Sequence, residues 1–488
     1  MASFTDFLEE ARLSALALVD YGTGLFNPTV RLGVTGLSRA GKTVFITALV
    51  HGLLRGGRFP VFESLASGRI ARARLAPQPN DAIPRFDYET YLKTLIEDRQ
   101  WPQSTSSISE LRLVIDYQRE NAATRTLTLD IVDYPGEWLL DLPLLDKTYE
   151  QWSAESLMLS RQGPRAKLAA GWHAQLATLD PLAHEDEQAT LKAARLFTDY
   201  LRTCRDERFA MSLLPPGRFL MPGNLAGSPA LTFAPLDVPN GAEAPEHSLW
   251  AMMQRRFEAY KDVVVRPFFR DHFARLDRQI VLVDALAAFN AGPEALHDLE
   301  SALGGILDCF RTGRATWLSS LVRPRIDRIL FAATKADHLH HLSHDRLEAI
   351  LRRMVERAAH RAEMAGAAVD VVALAAVRAT REAQVQRGRE TLPSIIGIPA
   401  AGETANGDTF DGKMEVATFP GDLPANLDEL FAGQHSFHGL STKAGHDADF
   451  RFLKFRPPFL EKDDAGTPAL PHIRLDRALQ FLIGDRLT

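Results

Sequence analysis

Apolar residues in this chain fall into short continuous runs that alternate with stretches of helical spacing, and the alternation predicts an α/β fold. Val30 to Val34 reads as a short buried strand; a glycine-containing loop follows, then an apolar-rich helix from Thr43 to Leu54 that Gly56 and Gly57 stop. Glu110 to Tyr117, alternating at Leu111, Leu113 and Ile115, and Arg125 to Val132, alternating at Leu127, Leu129 and Ile131, predict two strands close enough to pair antiparallel. Gln279 to Val283 and Arg328 to Ala333 are continuous apolar runs of the kind found in strands covered on both faces, with a helix around Glu294 to Cys309 between them. Leu347, Ile350, Leu351, Met354, Val355 and Ala358 then mark an amphipathic helix, and Val369 to Ala376 a further strand. Strands joined by helices imply right-handed crossovers, hence a mostly parallel sheet with helices on both faces.

Two long stretches interrupt this pattern. Trp138 to about Arg275 is mainly helical, with periodic segments near 147–160, 185–205 and 246–275 and a Pro/Gly-rich section from Leu214 to Asn240. Residues 383–470 are rich in Gly, Pro and Asp, with short runs at Glu415 to Phe419 and Phe450 to Phe455 that suggest a smaller β-rich insertion. Arg58 to Ser107, with prolines at 60, 77, 79, 84 and 102, predicts a long irregular loop holding one helix near Tyr88 to Asp98. The expected organisation is an amphipathic helix over 1–25 (Phe4, Phe7, Leu8, Ala11, Ala15, Leu18), the first part of the main α/β domain over 26–140, a helical insertion over 141–275, the domain's second part over 276–382, the β-rich insertion over 383–470, and a closing helix over 471–488. Leu475, Ala478, Leu479, Leu482 and Ile483 share one face of that last helix and should pack on the main domain; the first helix either docks on its own protein or meets a partner or membrane surface.

Composition narrows the class little. The 488 residues are 45% hydrophobic and 24% charged, as in soluble globular chains, and a formal charge of −6 offers no global case for nucleic acid or anionic membrane. The two cysteines, Cys204 and Cys309, form no metal-ligand or redox pattern and fit a reducing compartment. The N-terminus lacks the basic start of a secretory signal, and no apolar run approaches the ~20 residues of a membrane span.

Candidate chemistry begins at Gly36-Leu37-Ser38-Arg39-Ala40-Gly41-Lys42-Thr43, an ungapped G-x-x-x-x-G-K-[ST] between a strand and a helix, where a phosphate loop must stand. Glycines let backbone N–H groups curl around phosphate oxygens, and the helix through Val44 adds its N-terminal partial charge. Lys42 would reach the β- and γ-phosphates and Thr43 would ligate Mg²⁺. Read blandly, the same residues make a Gly-rich turn, but a turn needs neither the Lys-Thr pair nor its flanks. Arg39 is either solvated or an added phosphate or partner contact.

Asp133-Tyr134-Pro135-Gly136 is a D-x-x-G loop at a strand end, where a carboxylate can hold Mg²⁺ through water and the Gly136 N–H can sense the γ-phosphate. Alone it marks a turn; after a phosphate loop and a strand pair it reads as functional. Thr334-Lys335-Ala336-Asp337 resembles the N-K-x-D base signature, with Thr334 in place of Asn. A carboxylate at Asp337 accepts two hydrogens from guanine that adenine cannot offer together, which argues for GTP and GDP as ligands.

Three motifs in this order resemble the Ras-like GTPase fold. More narrowly, GLSRAGKT, IVDYPGEWLLDLP, QIVLVD, FAATKAD and PHIRLDRALQFLIGD together resemble the YcjX family of bacterial stress-associated P-loop GTPases over nearly the whole chain. The resemblance implies a Ras-like domain carrying insertions, GTP with Mg²⁺ as cofactor, and a cytoplasmic protein of the stress response. It also implies an undefined protein effector, with a membrane protein among the partners open to it and a peripheral place at the inner membrane through such a partner. In that framework Ala376 and Val377, within AAVR, would touch the guanine edge, and Thr105, with Ser104 and Ser106 as rivals, would close on Mg²⁺.

Glu137 occupies the position after D-x-x-G, where a glutamine would orient water. It either acts on water directly or turns to solvent, and its charge predicts slow hydrolysis. Arg69, Arg72, Arg74 and Arg85 are each a candidate arginine in cis or a surface cation. His338, His340, His341 and His344 are a metal cluster or a polar loop entering a helix. The leading expectation is a slow GTP-hydrolysing switch; a nucleotide-dependent interaction module with negligible hydrolysis and an ATP-dependent phosphotransferase are the alternatives.

Overall fold

The computed structural model describes residues 28–37, 39–103, 107–119, 123–239, 243–308, 326–364, 366–405, 407–424, 452–460 and 468–488. The helix expected over 1–25 lies outside them, as does Cys309. From the first described residue the chain enters β1 (Thr29–Gly36), then α1 (Lys42–Arg55), which Gly56 ends at φ 72°. β2 (Ile70–Ala76) and α2 (Tyr88–Ile96) follow, then β3 (Ser109–Gln118) and β4 (Thr124–Asp133). The helical segment contributes α3 (Tyr149–Ser160), α4 (Glu187–Arg205) and α5 (Leu249–Tyr260). The α/β alternation resumes with β5 (Arg278–Val283), α6 (Ala285–Ala291), α7 (Pro293–Asp308), β6 (Arg328–Ala333), α8 (His344–Met364) and β7 (Ala368–Ala373). A small sheet of β8 (Arg381–Arg387), β9 (Glu390–Gly397) and β10 (Val416–Thr418) comes next, and α9 (Leu475–Ile483) closes the chain.

Among the described residues the main sheet has seven strands in the order β2-β3-β4-β1-β5-β6-β7. From β4 to β7 all neighbours run parallel, while β2 and β3 add an antiparallel edge. The mixed sheet with a parallel centre is the expected class, and it places the C-terminal ends of β1, β4, β5, β6 and β7 along one edge, where ligands of such sheets bind. One expectation is corrected: the irregular stretch Arg58 to Ser107 holds a strand, β2, as well as the expected helix α2. The strand expected over Val369 to Ala376 stops at Ala373, since Ala375 leaves the ladder to exchange backbone hydrogen bonds with Ile473. Of the run at Phe450 to Phe455, the described residues make only an isolated bridge, Pro399 with Phe455.

Side-chain alternation sorts the core into two layers. Val30, Leu32, Val34, Ile280, Leu282, Leu330 and Ala332 face α1 and the apolar face of α9. Val281, Val283, Ile329, Phe331 and Ala333 face α6, α7, α8 and the helical segment. The core of the helical segment is continuous with this second layer, and its centre is aromatic, with Trp152 stacked on Phe257 at 5.2 Å. No helix among the described residues is long and apolar enough to cross a membrane.

Candidate functional site

The phosphate-loop sequence turns sharply between Gly36, the last residue of β1, and Lys42, the first of α1. Gly41 caps the helix in the left-handed region at φ 81°, a conformation a side chain would strain. The first turn of α1 carries no acidic residue and no side-chain cap of its own, so its N–H groups bring a partial positive charge to the loop. Leu37 and Ala40 are buried, Lys42 and Val44 are half-buried, and Ser38 lies outside the described residues. Arg39 also takes a positive φ, of 63°, and is exposed; it is not simply solvated, for it pairs with Glu207 at 3.0 Å. Partial burial, then the neighbouring Arg205, lowers the Arg39 pKa.

Two candidate oxygen ligands for a cation stand at the ends of neighbouring elements, one in the first turn of α1 and one at the end of β4. Thr43 is buried at the start of α1, and its Oγ1 lies 3.4 Å from the carbonyl of Gln103, to which it donates. That bond brings the segment ahead of β3 to the phosphate loop. Thr105, Ser104 and Ser106 themselves lie outside the described residues. Asp133, only 1% exposed, ends β4 opposite Val34 of β1. A hydroxyl and a buried carboxylate beside the loop are hard oxygen donors, the set that Mg²⁺ prefers, so the chemistry of the residues fits this ion.

The D-x-x-G loop lies directly on the phosphate loop. Tyr134 is fully buried and donates from its hydroxyl to Gln279 Oε1 at 2.9 Å, which pins the loop from below. A β-carbon on Gly136 would sit 2.3 Å from the Gly36 carbonyl oxygen, so the two main chains touch. Gly136–Asp146 then forms an irregular 3₁₀ segment that is almost wholly buried. Glu137 is therefore not turned to solvent: it is 5% exposed and pairs with Arg205 of α4 at 2.9 Å. Four residues on, Asp141 accepts from the Gly217 N–H at 2.6 Å, the Arg218 N–H at 3.2 Å and the Tyr260 hydroxyl at 2.6 Å. Burial, partly offset by these donors, pushes its pKa up to about 6.

The base motif follows β6. Thr334 donates from both N–H and hydroxyl to the Val283 carbonyl, at 2.9 and 3.3 Å, tying the ends of β5 and β6 together. Lys335, in the left-handed region at φ 61°, pairs with Asp284 at the end of β5. Asp337 is 4% exposed; its carboxylate accepts from the Ala379 N–H at 2.8 Å and its carbonyl from the Thr380 hydroxyl. Each carboxylate oxygen has a second lone pair, so the bond from Ala379 orients the group without exhausting it. Ala376 and Val377 lie in the same loop after β7, with their side chains packed into the layer that includes α9. The structure thus brings the two predicted base-side segments into contact.

A cleft of about 480 Å³ borders these loops, walled by Leu37 and Arg39, by Arg205 and Glu207, and by Asp284, Lys335 and Lys454. Lys42, Thr43, Asp133 and Asp337 do not line it, so it flanks the phosphate loop from the helical segment's side. Its charges pair with one another, Glu207 meeting both Arg39 and Lys454.

The four histidines do not meet at one point, although His340 and His341 stand with Glu382 so that their ligand atoms lie within 4.8 Å of one another. His338 meets the Phe455 ring edge-on, His344 Nε2 bonds the Ala336 carbonyl at 2.8 Å, His340 Nδ1 accepts from the Leu342 N–H, and His341 bonds Glu382 at 2.7 Å. The arginine candidates are likewise placed elsewhere. Arg69 bonds Ser64 and Ser67, Arg74 pairs with Asp116, Arg85 pairs with Glu89, and Arg72 is exposed on β2, three strands from β1. The arginine at the second loop is Arg205. Spacing carried no signal for it, nor for Asp284, the partner of Lys335.

Comparison with known proteins places the chain among relatives over nearly its whole length. The model of the YcjX-like family, DUF463, matches residues 30–487. The Ras-like GTPase YcjX of Escherichia coli (strain K12) is 38% identical over 474 residues, covering 94% of this chain and 96% of that protein. The Ras-like GTPase YcjX of Shewanella oneidensis (strain MR-1) is 35% identical over 484 residues, covering 94% of each.

Proposed function

The chain belongs to the YcjX-like family, and from that premise we propose that it binds GTP with Mg²⁺ and hydrolyses it slowly, as a switch whose inserted segments meet a protein effector. The observation that carries the reading is the meeting of four loops at one sheet edge: Gly136 lies against Gly36, and the Asp337 carboxylate holds the Ala379 N–H. Residues 26–140 and 276–382 form the nucleotide-binding part, with 141–275 and 383–470 as insertions and 471–488 as the closing helix.

The roles follow from position. N–H groups of the loop from Leu37 through Ser38 and Arg39 to Val44 cradle the phosphates, and Lys42 carries positive charge to the β- and γ-phosphates. Thr43 and Asp133, with Thr105 from the segment that Gln103 leads into, would hold the cation, which would supply charge neutralisation to the triphosphate. The Gly136 N–H faces the γ-phosphate. Asp337 accepts from the guanine ring nitrogen and amine, Lys335 and Thr334 fix the loop beneath, and Ala376 and Val377 line the base edge. Glu137 contacts the attacking water. A bacterial stress response and a cytoplasmic place, with a membrane protein among the effectors open to it, are the setting that the family resemblance supports.

The test is a nucleotide-affinity panel across GTP, GDP, ATP and ADP, with and without Mg²⁺. Tight guanine binding strengthened by Mg²⁺ is expected; well-folded protein that takes up no purine di- or triphosphate would end the reading. A second reading, a nucleotide-dependent interaction module with negligible hydrolysis, draws on the burial of Glu137 in an ion pair. Single-turnover hydrolysis by the wild type and Glu137→Gln separates the two.

A further inference from the structure

Glu137 follows Gly136 directly, and Gly136 packs on Gly36, so this glutamate stands one residue from the phosphate loop's main chain. Arg205, the last residue of α4, brings Nη2 to 2.9 Å from Glu137 Oε1. The backbone of Glu137 is held from behind as well. A β-carbon on Gly217 would lie 1.9 Å from the Glu137 carbonyl oxygen, so the helical segment can close on it only where a side chain is missing. Two residues past Arg205, Glu207 pairs with Arg39, so the end of α4 grips both the phosphate loop and the loop after β4.

We infer that Arg205 is a positioning residue for GTP hydrolysis, neutralising Glu137 and aiming its second carboxylate oxygen at the attacking water; this rests on the hydrolytic reading above. A lone carboxylate beside a phosphoryl group whose charge must be neutralised opposes the reaction. A carboxylate paired with a guanidinium carries no net charge, yet Oε2 keeps lone pairs that accept a hydrogen from water. The pair thereby reproduces what a neutral glutamine supplies. In the step itself the water oxygen bonds to the γ-phosphorus while the bond from that phosphorus to the bridging oxygen breaks, its electron pair leaving on GDP. One water proton ends on inorganic phosphate and the other passes to solvent. Glu137 accepts a hydrogen bond throughout and finishes ionised, still paired with Arg205.

Single-turnover hydrolysis and GTP and GDP affinities of the full chain test this in Arg205→Ala, Arg205→Gln and Arg205→Lys, each also made in the Glu137→Gln background. Misplacing a water-orienting group costs on the order of 100-fold, so Arg205→Ala and Arg205→Gln should slow hydrolysis by about that factor with nucleotide affinities nearly unchanged. Arg205→Lys keeps the charge and should recover most of the rate. Where the partner is already a neutral glutamine, the loss from Arg205→Ala should shrink to a few-fold. A wild-type rate in Arg205→Ala overturns the inference, and so does an equal loss in both backgrounds, which would mean that Arg205 acts without Glu137. Should Arg205→Ala fail to fold by circular dichroism, Gln against Lys decides alone, and equal rates in those two overturn it. Failure of the wild type to bind GTP strikes the underlying function instead and is seen in the same affinity measurements.

Discussion

Gly136 and Gly36 touch through their main chains: a β-carbon added to Gly136 would fall 2.3 Å from the Gly36 carbonyl oxygen and 3.0 Å from the Leu37 nitrogen. Those atoms are backbone and cannot swing aside as a side chain would. Gly136→Ala must therefore lift the D-x-x-G loop away from the phosphate loop. Since Gly136 is assigned to the γ-phosphate and not to the diphosphate, the variant should retain GDP while losing most of its hydrolysis and its tighter hold on GTP. Titration with GDP and a non-hydrolysable GTP analogue measures this. Equal losses for both ligands would mean that the loop supports the whole pocket.

Lys42→Ala removes the ammonium that the loop aims at the β- and γ-phosphates, and triphosphate binding should be abolished. Unchanged GTP affinity by calorimetry would refute the phosphate-loop assignment.

Legibility in the sequence followed from how local each signal was. The strand Arg328–Ala333 and the helix Leu475–Ile483 were readable to the residue, because a fully covered strand is a continuous apolar run and an amphipathic helix repeats its apolar positions. β2 was not, since Ile70–Ala76 is an edge strand whose apolar face offers only Ala71, Ala73 and Leu75 opposite Arg72 and Arg74, and prolines follow at 77 and 79. The motif residues announced themselves by spacing. Arg205 did not, because its pairing with Glu137 is made only when α4 folds back onto the loop after β4, and nothing near Arg205 in the chain differs from an ordinary helix end.

Asp337→Asn tests the base. The Asn carbonyl can still accept from the Ala379 N–H, so the loop should hold its shape, but the amide N–H₂ would confront guanine's donors. Preference should move from guanine toward xanthine nucleotides, read by competition binding. Full guanine selectivity in the variant would take Asp337 out of the base site.

A buried carboxyl and a half-buried imidazole set opposing pH slopes. Burial raises Asp141 from 3.8 to about 6, so its contribution to stability is present below about 4 and lost as pH rises through about 6. Burial, reinforced by Arg31, Arg275 and Arg218 against Asp271, lowers His272 from 6.5 to about 4, so its contribution is present above about 6.5 and lost as pH falls through about 4. Relative to the wild type, Asp141→Asn should gain stability with rising pH between 4 and 6, by up to about 1.4 kcal/mol per unit. His272→Gln should lose it over the same window. Urea denaturation from pH 4 to 7 reads both, and a pH-independent difference for either variant would dismiss its assignment.

The helical segment's attachment near Arg205 rests on a second buried pair, Arg165 with Asp298 of α7, at 2.5 Å. Asp298 also accepts from the N–H groups of Ser212 and Leu213, while Arg165 donates to the Leu213 carbonyl and the Tyr200 hydroxyl. One carboxylate thus fixes the turn after α4 to α7. Asp298→Ala strands a buried guanidinium and removes the acceptor for both N–H groups, which should destabilise the fold by about 3–5 kcal/mol. Replacing both partners with Arg165→Met and Asp298→Leu removes the stranded charge but not the loss of the turn's acceptor, so the double variant should recover part of that stability and not all of it. Chemical denaturation of the three proteins measures the terms. A single variant as stable as the wild type would show that the pair is solvated in solution and that the turn after α4 is held by its apolar contacts alone.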